Sequence, residues 1–127
     1  MNIMDRTASH SIGQLRQALE SGTLTSESLV CAQLERIERF NGQLNAYVEA
    51  YPQRALGAAI AADRQRAAGI NLGPLHGIPV AIKDLFEIDG KAITGGSLAQ
   101  TPRISRLTAT AVQRLERAGA IILGKAH

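Results

Sequence analysis

In the first half of the chain, apolar positions recur at helical spacing. Val30, Leu34 and Ile37 lie four and three residues apart and mark one buried face of a helix. The dipeptide Asn41-Gly42 is expected to end that helix. The predicted elements of this half are three helices and one strand: residues 12–20, 25–40, 52–68 and, for the strand, 46–49.

From residue 71 the pattern changes to short apolar runs separated by Gly and Pro. Residues 80–82 and 120–123 are the two clearest runs and predict buried strands. Residues 85–105 between them are expected to be irregular, and Thr108 is expected to cap a fourth helix. Strand, helix and strand in this order predict a parallel pair with a right-handed crossover, and the second strand is expected to leave an apolar edge exposed.

These elements define an α/β protein. We divide it into a helical region over residues 1–70 and the start of an α/β core over residues 71–127. The chain has 127 residues, of which 45% are hydrophobic and 20% charged, which suits one soluble domain or a piece of a larger one.

Charge and aromatic content narrow the classes of partner. Lys and Arg number 14 against 11 Asp and Glu, so the net charge of +3 does not indicate a polybasic or acidic tail. Two Tyr, two Phe and no Trp are too few for a surface that stacks single-stranded bases. No apolar stretch approaches the roughly 20 residues of a membrane span. We therefore expect neither direct nucleic-acid binding nor a membrane partner.

The cysteine and histidine positions bear on compartment and metal binding. Cys31 is the single cysteine, so no internal disulfide can form, which favours a reducing compartment. Residues 1–9 contain no long apolar run, so a signal peptide is not expected and a cytoplasmic location is. His10, His76 and His127 are far apart in sequence and show no metal-ligand spacing. We expect neither a metal nor an organic cofactor.

Lys83 is the residue that most suggests chemistry. It follows the apolar run of residues 80–82 and precedes Asp84. Sites of parallel sheets lie at the carboxyl ends of their strands, where a partly desolvated lysine can act as a general base. The alternative is a lysine that extends from the strand end and pairs with Asp84.

Four other features have weaker signals. Residues 95–97, Gly-Gly-Ser, form either a loop presenting backbone N–H groups to an anion or an ordinary tight loop. Residues 124–125, Gly-Lys, resemble half of a phosphate-binding loop but lack its earlier glycines. His76 is expected to form hydrogen bonds within its own loop. Arg103 and Arg106 are interpreted as solvated loop charges, with an anion clamp as the alternative.

Residues 73–86, GPLHGIPVAIKDLF, closely resemble the amidase signature family. Weaker similarities follow in the order of the family: residues 34–37, 44–48, 94–97 and 108–125. The resemblance extends over nearly the whole chain from about residue 12. It implies the N-terminal part of an amidase-signature fold, with a helical N-terminal region followed by strands of a mixed sheet flanked by helices.

The resemblance also implies an activity, which is cleavage of a carboxamide C–N bond by a Ser–cis-Ser–Lys triad. Lys83 falls on the position of the catalytic lysine, which takes the proton of the nucleophilic serine through the bridging serine. The expected partner is a small-molecule amide substrate in the full-length enzyme, and the family chemistry needs no cofactor.

The family's serine-containing segment is expected after the strand at residues 120–123, and these 127 residues do not contain it. We therefore interpret the chain as an N-terminal fragment that is inactive alone. One alternative is the amidase subunit of a tRNA-dependent amidotransferase, which shares the motif around Lys83 and needs partner subunits. Another is a non-catalytic fragment acting as an interaction module. A homo-oligomer or a partner subunit is compatible with the sequence.

Overall fold

A computed structural model describes residues 7–99 and 101–127. Most of the segment on which the signal-peptide expectation rests, residues 1–6, lies outside this part. Within it the elements are, in order: α1 (Ile12–Glu20), α2 (Ser26–Leu44), β1 (Tyr47–Ala50), α3 (Pro52–Ala67), β2 (Pro79–Lys83), β3 (Ala92–Ile93), β4 (Arg103–Ile104), α4 (Thr110–Arg117) and β5 (Ile121–Ala126). The chain is a mixed α/β protein, as predicted.

Three of the strands form a mixed sheet in the order β1-β5-β2. β5 runs parallel to β2 and antiparallel to β1, which confirms the predicted parallel pair. The prediction that the 120–123 strand leaves an apolar edge exposed is wrong, because β5 is the central strand and residues 121–123 are buried. Its second edge is covered by β1 from the first half of the chain, and sequence periodicity does not reveal such a distant pairing.

Hydrophobic clusters lie against opposite faces of β5, because successive strand residues point to opposite faces. The first cluster joins α2 and α3 to the sheet through Val30, Ala55, Ala59, Ala62, Ile121 and Leu123. The second joins α4 and the loops through Tyr51, Ile82, Ile88, Val112 and Ile122. The small side chains of α3 allow it to pack closely, so the Ala-rich pattern has a structural role.

The register of β5 shifts by one residue near its middle. Val80 pairs with Ile122 but the next residue, Ala81, pairs with Gly124, so Leu123 is the extra residue of a bulge. Strict alternation would place Lys125 on the same face as Leu123. The one-residue shift moves Lys125 to the opposite face of β5. There it lies beside Ile82, its register partner on β2 and a member of the second cluster.

The second helix is longer than predicted. It continues to Leu44, and Asn45, with a left-handed φ of 51°, ends it. The side chain of Asn41 instead accepts a hydrogen bond from the backbone N–H of Tyr47 (2.7 Å) and donates one to the carbonyl oxygen of Tyr47 (3.0 Å). The predicted stop at Asn41-Gly42 is therefore wrong, because Asn41 fixes the following strand and does not cap its own helix.

The predicted cap of the fourth helix is also wrong. Ala109 precedes α4 without a side-chain cap, while the Thr108 hydroxyl oxygen accepts a hydrogen bond from the backbone N–H of Asp89 (3.0 Å). The stretch expected to be irregular contains the two-stranded ladder β3–β4. Two residues per strand are too few to show an alternating pattern.

Within the described part of the chain, no helix has the length and apolar character needed to cross a bilayer.

Candidate functional site

The carboxyl ends of the parallel strands β2 and β5 lie side by side. Lys83, the last residue of β2, pairs in register with Ala126 of β5. Its side chain is exposed, so the partial desolvation considered from the sequence is wrong for the described residues. Among these residues its amine has no hydrogen bond or ion pair. The alternative in which Lys83 pairs with Asp84 is therefore wrong, because Asp84 has another partner.

That partner is Lys125. The Lys125 Nζ lies 3.0 Å from Oδ1 of Asp84, and the two side chains are 1% and 4% exposed. The other carboxylate oxygen, Oδ2, accepts hydrogen bonds from the backbone N–H of Thr94 (3.2 Å) and from the Thr94 hydroxyl. Lys125 also donates to the carbonyl oxygen of Ala92 (3.4 Å). A buried ion pair thus connects the sheet to the loop after β3.

The backbone of Asp84 strengthens the same connection. Its N–H donates to the carbonyl oxygen of Ala126 (2.7 Å), and its carbonyl oxygen accepts from the N–H of Gly95 (3.1 Å). Asp84 therefore contacts both β5 and the glycine loop through main chain and side chain. Any movement of the loop relative to β2 would break several of these hydrogen bonds.

The surroundings of Asp84 favour its charged form. Burial by itself would raise the pKa of this carboxyl, but the hydrogen bonds from Thr94 and Lys125 and the positive charge of Lys125 outweigh it. The pKa of Asp84 therefore lies below its ordinary value. The pair is an ion pair at neutral pH, and the negative charge next to Lys83 in sequence is already compensated.

The glycine loop at residues 95–97 does not present free amides. The N–H of Gly96 donates to the hydroxyl oxygen of Thr94 (3.1 Å), and the N–H of Ser97 donates to the Thr94 carbonyl oxygen (3.3 Å). The N–H of Gly95 is bound to Asp84, as described above. All three donors are used within the site, so this segment is the tight loop and not an anion-binding loop.

His76 has the structural role expected for it. It is 8% exposed, its Nε2 lies 3.2 Å from Oε1 of Gln65, and its Nδ1 accepts from the N–H of Leu72 (3.4 Å). Burial, followed by the charge of Arg66, lowers the pKa of His76. Arg66 also donates to the His76 carbonyl oxygen (3.0 Å), which ties the segment before β2 to α3.

The remaining candidates do not join the site around Lys83. Arg103 forms an ion pair with Glu87, Arg106 is exposed, and Cys31 is half-buried on α2. In the described ranges, no group of three or more His, Cys, Asp or Glu side chains is arranged to hold a metal ion.

Sequence reasoning misses the importance of Lys125 and Thr94. In the sequence, Lys125 stands out only as part of an incomplete phosphate-binding motif. A usable signal is nevertheless present, because a lysine soon after the buried run of residues 120–123 needs a counter-ion. Asp84, which follows the neighbouring strand, is the natural candidate for that counter-ion.

The fold and this site define an α/β protein with a lysine at the carboxyl edge of a mixed sheet. The family model for Amidase matches residues 28–127. The chain belongs to this family, and the solved structures similar to it include a peptide amidase and a bacterial aryl acylamidase of the amidase signature enzymes.

Named relatives include both a hydrolase and a transferase component. The chain is 40% identical over 116 residues to the glutamyl-tRNA(Gln) amidotransferase subunit of Halorhodospira halophila, covering 91% of this chain and 24% of that protein. It is 40% identical over 107 residues to indoleacetamide hydrolase of Bradyrhizobium diazoefficiens, covering 84% of this chain and 20% of that protein.

Among solved structures, the native peptide amidase of Stenotrophomonas maltophilia is 36% identical with a TM-score of 0.87. That match covers 94% of this chain and 25% of the peptide amidase. The chain thus spans about a quarter of the length of the relatives that it matches.

Proposed function

We propose that the protein carrying this chain hydrolyses a carboxamide C–N bond by a Ser–cis-Ser–Lys mechanism, with Lys83 as the base. The observation that carries the proposal is the state of Lys83. Its amine is exposed at the carboxyl edge of the sheet and has no counter-ion among the described residues. Membership of the amidase family supports an amide as the substrate class.

The proposed reaction uses Lys83 only to move protons. The neutral amine of Lys83 accepts a proton from the bridging serine, which accepts the proton of the nucleophilic serine as it attacks the carbonyl carbon. Lys83 then returns a proton through the same serine to the departing nitrogen, and the C–N bond breaks. Water hydrolyses the acyl-enzyme by the same proton path, which regenerates the free serine.

A chimera tests the role of Lys83. Residues 7–127 would replace the matching quarter of the Stenotrophomonas peptide amidase, and hydrolysis of a peptide amide would be measured. Lys83→Ala is expected to lower kcat by about 10²- to 10⁴-fold, the usual contribution of a general base. Lys91→Ala is the matched control, because the Lys91 Nζ lies over the ring of Tyr51, 4.2 Å from its centroid, and Lys91 is not at the carboxyl end of β2. It should retain activity within about twofold.

Two results would contradict the proposal. One is a folded chimera in which Lys83→Ala is as active as its parent. The other is a chimera with native circular dichroism and a native oligomeric state that has no activity with Lys83 in place.

We also propose that the 127-residue chain alone does not hydrolyse amides. A lysine cannot replace the nucleophile and the oxyanion-stabilising groups, which supply most of the rate. Turnover of a generic amide by the purified chain, abolished by Lys83→Ala, would overturn this.

The amidase subunit of a tRNA-dependent amidotransferase is the second candidate. The 40% identity to the amidotransferase subunit of Halorhodospira halophila favours it. A second chimera, made in that Halorhodospira protein and assayed with its partner subunits for glutamyl-tRNA(Gln) amidation, distinguishes the two. Activity in the transferase chimera combined with none in the peptide amidase chimera would favour the transferase.

A further inference from the structure

We propose that Asp84 and Lys125 are positioning residues for Lys83. Lys125 binds the Asp84 carboxylate in a buried ion pair. The carboxylate therefore fixes the glycine loop and is not available to pair with the Lys83 amine. The inference rests on the proposed role of Lys83 as the base.

The first step of the argument is the problem that the sequence creates. Asp84 directly follows Lys83, and a carboxylate beside an ammonium group favours the charged form of that group. A lysine kept protonated in this way cannot accept a proton. The chemistry therefore requires that the Asp84 charge be bound elsewhere.

The second step is the competing partner. Lys125 is 1% exposed and reaches Asp84 because the bulge at Leu123 turns it to the face opposite that of Leu123. Thr94 occupies the other carboxylate oxygen with its N–H and its hydroxyl. Both oxygens of Asp84 are thus bound by groups other than Lys83.

The third step is the set of groups that face Asp84 from the surrounding elements. Lys125 approaches from β5, and Lys83, the last residue of β2, precedes Asp84 in the chain. The phenol of Tyr51, at the start of α3, is close enough that the charge of Asp84 contributes to raising the pKa of Tyr51 to about 12, after burial and Glu49. In the described part of the chain, Lys125 alone forms an ion pair with Asp84.

The test is NMR of the whole 127-residue chain labelled with ¹³C- and ¹⁵N-lysine. The sequence holds three lysines, Lys83, Lys91 and Lys125, so Lys83→Arg and Lys91→Arg suffice for assignment. In the parent chain the Nζ protons of Lys125 should exchange slowly enough to give a signal at neutral pH, while those of Lys83 should not. If the Nζ protons of Lys125 exchanged with water as fast as those of Lys83, the buried Asp84–Lys125 ion pair would be contradicted.

The decisive variant is Lys125→Met, which removes the counter-ion of Asp84 and leaves only the hydrogen bonds from Thr94 to its carboxylate. The titration midpoint of the Lys83 Cε resonance should then rise by about one pH unit. The double variant Asp84→Asn with Lys125→Met should restore it, since the carboxylate is gone. Thr94→Val, which removes one donor to the carboxylate, should raise the midpoint by a smaller amount and serves if Lys125→Met does not fold. An unchanged midpoint in a folded variant overturns the proposal.

This experiment separates the inference from the proposed function. If the peptide amidase chimera were inactive and the lysine titrations were as predicted, the amidase mechanism would be rejected. The proposed role of the Asp84–Lys125 pair would still stand. Activity that depends on Lys83, combined with a Lys83 titration insensitive to Lys125→Met, would reject only the positioning role.

Discussion

Asp84 is nearly inaccessible to water, so its charge must be stabilised by the protein. The pKa of this carboxyl is lower in the folded state than in the unfolded chain, where it has the ordinary aspartate value of about 3.9. A lowered folded pKa stabilises the protein at all pH values above the unfolded pKa. That stabilisation is lost as the pH falls through the folded value.

Asp84→Asn should therefore destabilise the chain in a pH-dependent way. At pH 7 the loss in free energy of unfolding should be about 3–5 kcal/mol, because the substitution leaves Lys125 buried without its partner. The difference from the parent should begin to shrink as the pH falls below about 4, because the carboxyl of the unfolded parent is then protonated while the folded carboxyl, with its lower pKa, is not yet protonated. Urea denaturation followed by circular dichroism between pH 3 and pH 7 measures both quantities.

The exposed pair Arg16–Glu20 supplies the control. Glu20→Gln removes a surface ion pair of 2.7 Å on α1 and should cost no more than about 0.5 kcal/mol. If Asp84→Asn cost as little as Glu20→Gln at pH 7, the buried pair would not have the importance assigned to it.

At this scale the sequence predicts one half of the site. Lys83 stands out because its strand is short, apolar and part of a specific motif. The sequence offers Asp84 as a candidate counter-ion for Lys125, but it does not show that the contact forms, because the contact depends on the bulge at Leu123. That bulge reverses the face expected for Lys125 by simple alternation. The position of an inserted residue is set by strand pairing, which a single sequence does not show.

At the scale of elements, the close pairing of β1 with β5 depends on Gly124. A Cβ atom at this position would lie 2.2 Å from the carbonyl oxygen of Glu49 and 2.8 Å from the Cα of Ala50, both in the neighbouring strand β1. Backbone atoms of a paired strand cannot move aside as a flexible side chain can. The absence of a side chain at Gly124 therefore allows β1 and β5 to approach.

Gly124→Ala should accordingly destabilise the chain by about 1–3 kcal/mol, the usual cost of overpacking. Gly57→Ala is the matched control, because Gly57 lies within α3 and a Cβ atom added there would have nothing within 4 Å, so it should stabilise the chain by about 1 kcal/mol. Thermal and urea unfolding of the two variants compare them directly. Equal effects of the same sign would show that close approach of the strands is not what excludes a side chain at Gly124.

The elements themselves are mostly predictable, and their ends less so. The first helix matches its predicted bounds, residues 12–20, because its capping box is local in sequence. The predicted Thr25 cap of α2 is likewise confirmed. The backbone N–H groups of Ser26 and Glu27 donate in addition to the Asp63 carboxylate, 37 and 36 residues away. Such long-range contacts add to the local caps, and local sequence patterns do not encode them.

At the scale of the whole molecule, β5 connects the two hydrophobic clusters. Ile121 and Leu123 belong to the first cluster and Ile122 to the second. β1 and α3, from the first half of the chain, pair with or pack on the same strand. Loss of β5 would expose apolar surface of both clusters, so we expect the described elements to unfold together.

The two tyrosines can test this coupling separately, because each reports on one cluster and the chain has no Trp. Tyr47 packs against the first cluster and Tyr51 belongs to the second. Tyr51→Phe leaves Tyr47 as the fluorescent reporter, and Tyr47→Phe leaves Tyr51. Within each variant, the urea midpoint measured by tyrosine fluorescence should equal the midpoint measured by far-ultraviolet circular dichroism. A fluorescence transition at clearly lower urea than the loss of helix in either variant would show that its cluster unfolds independently of β5.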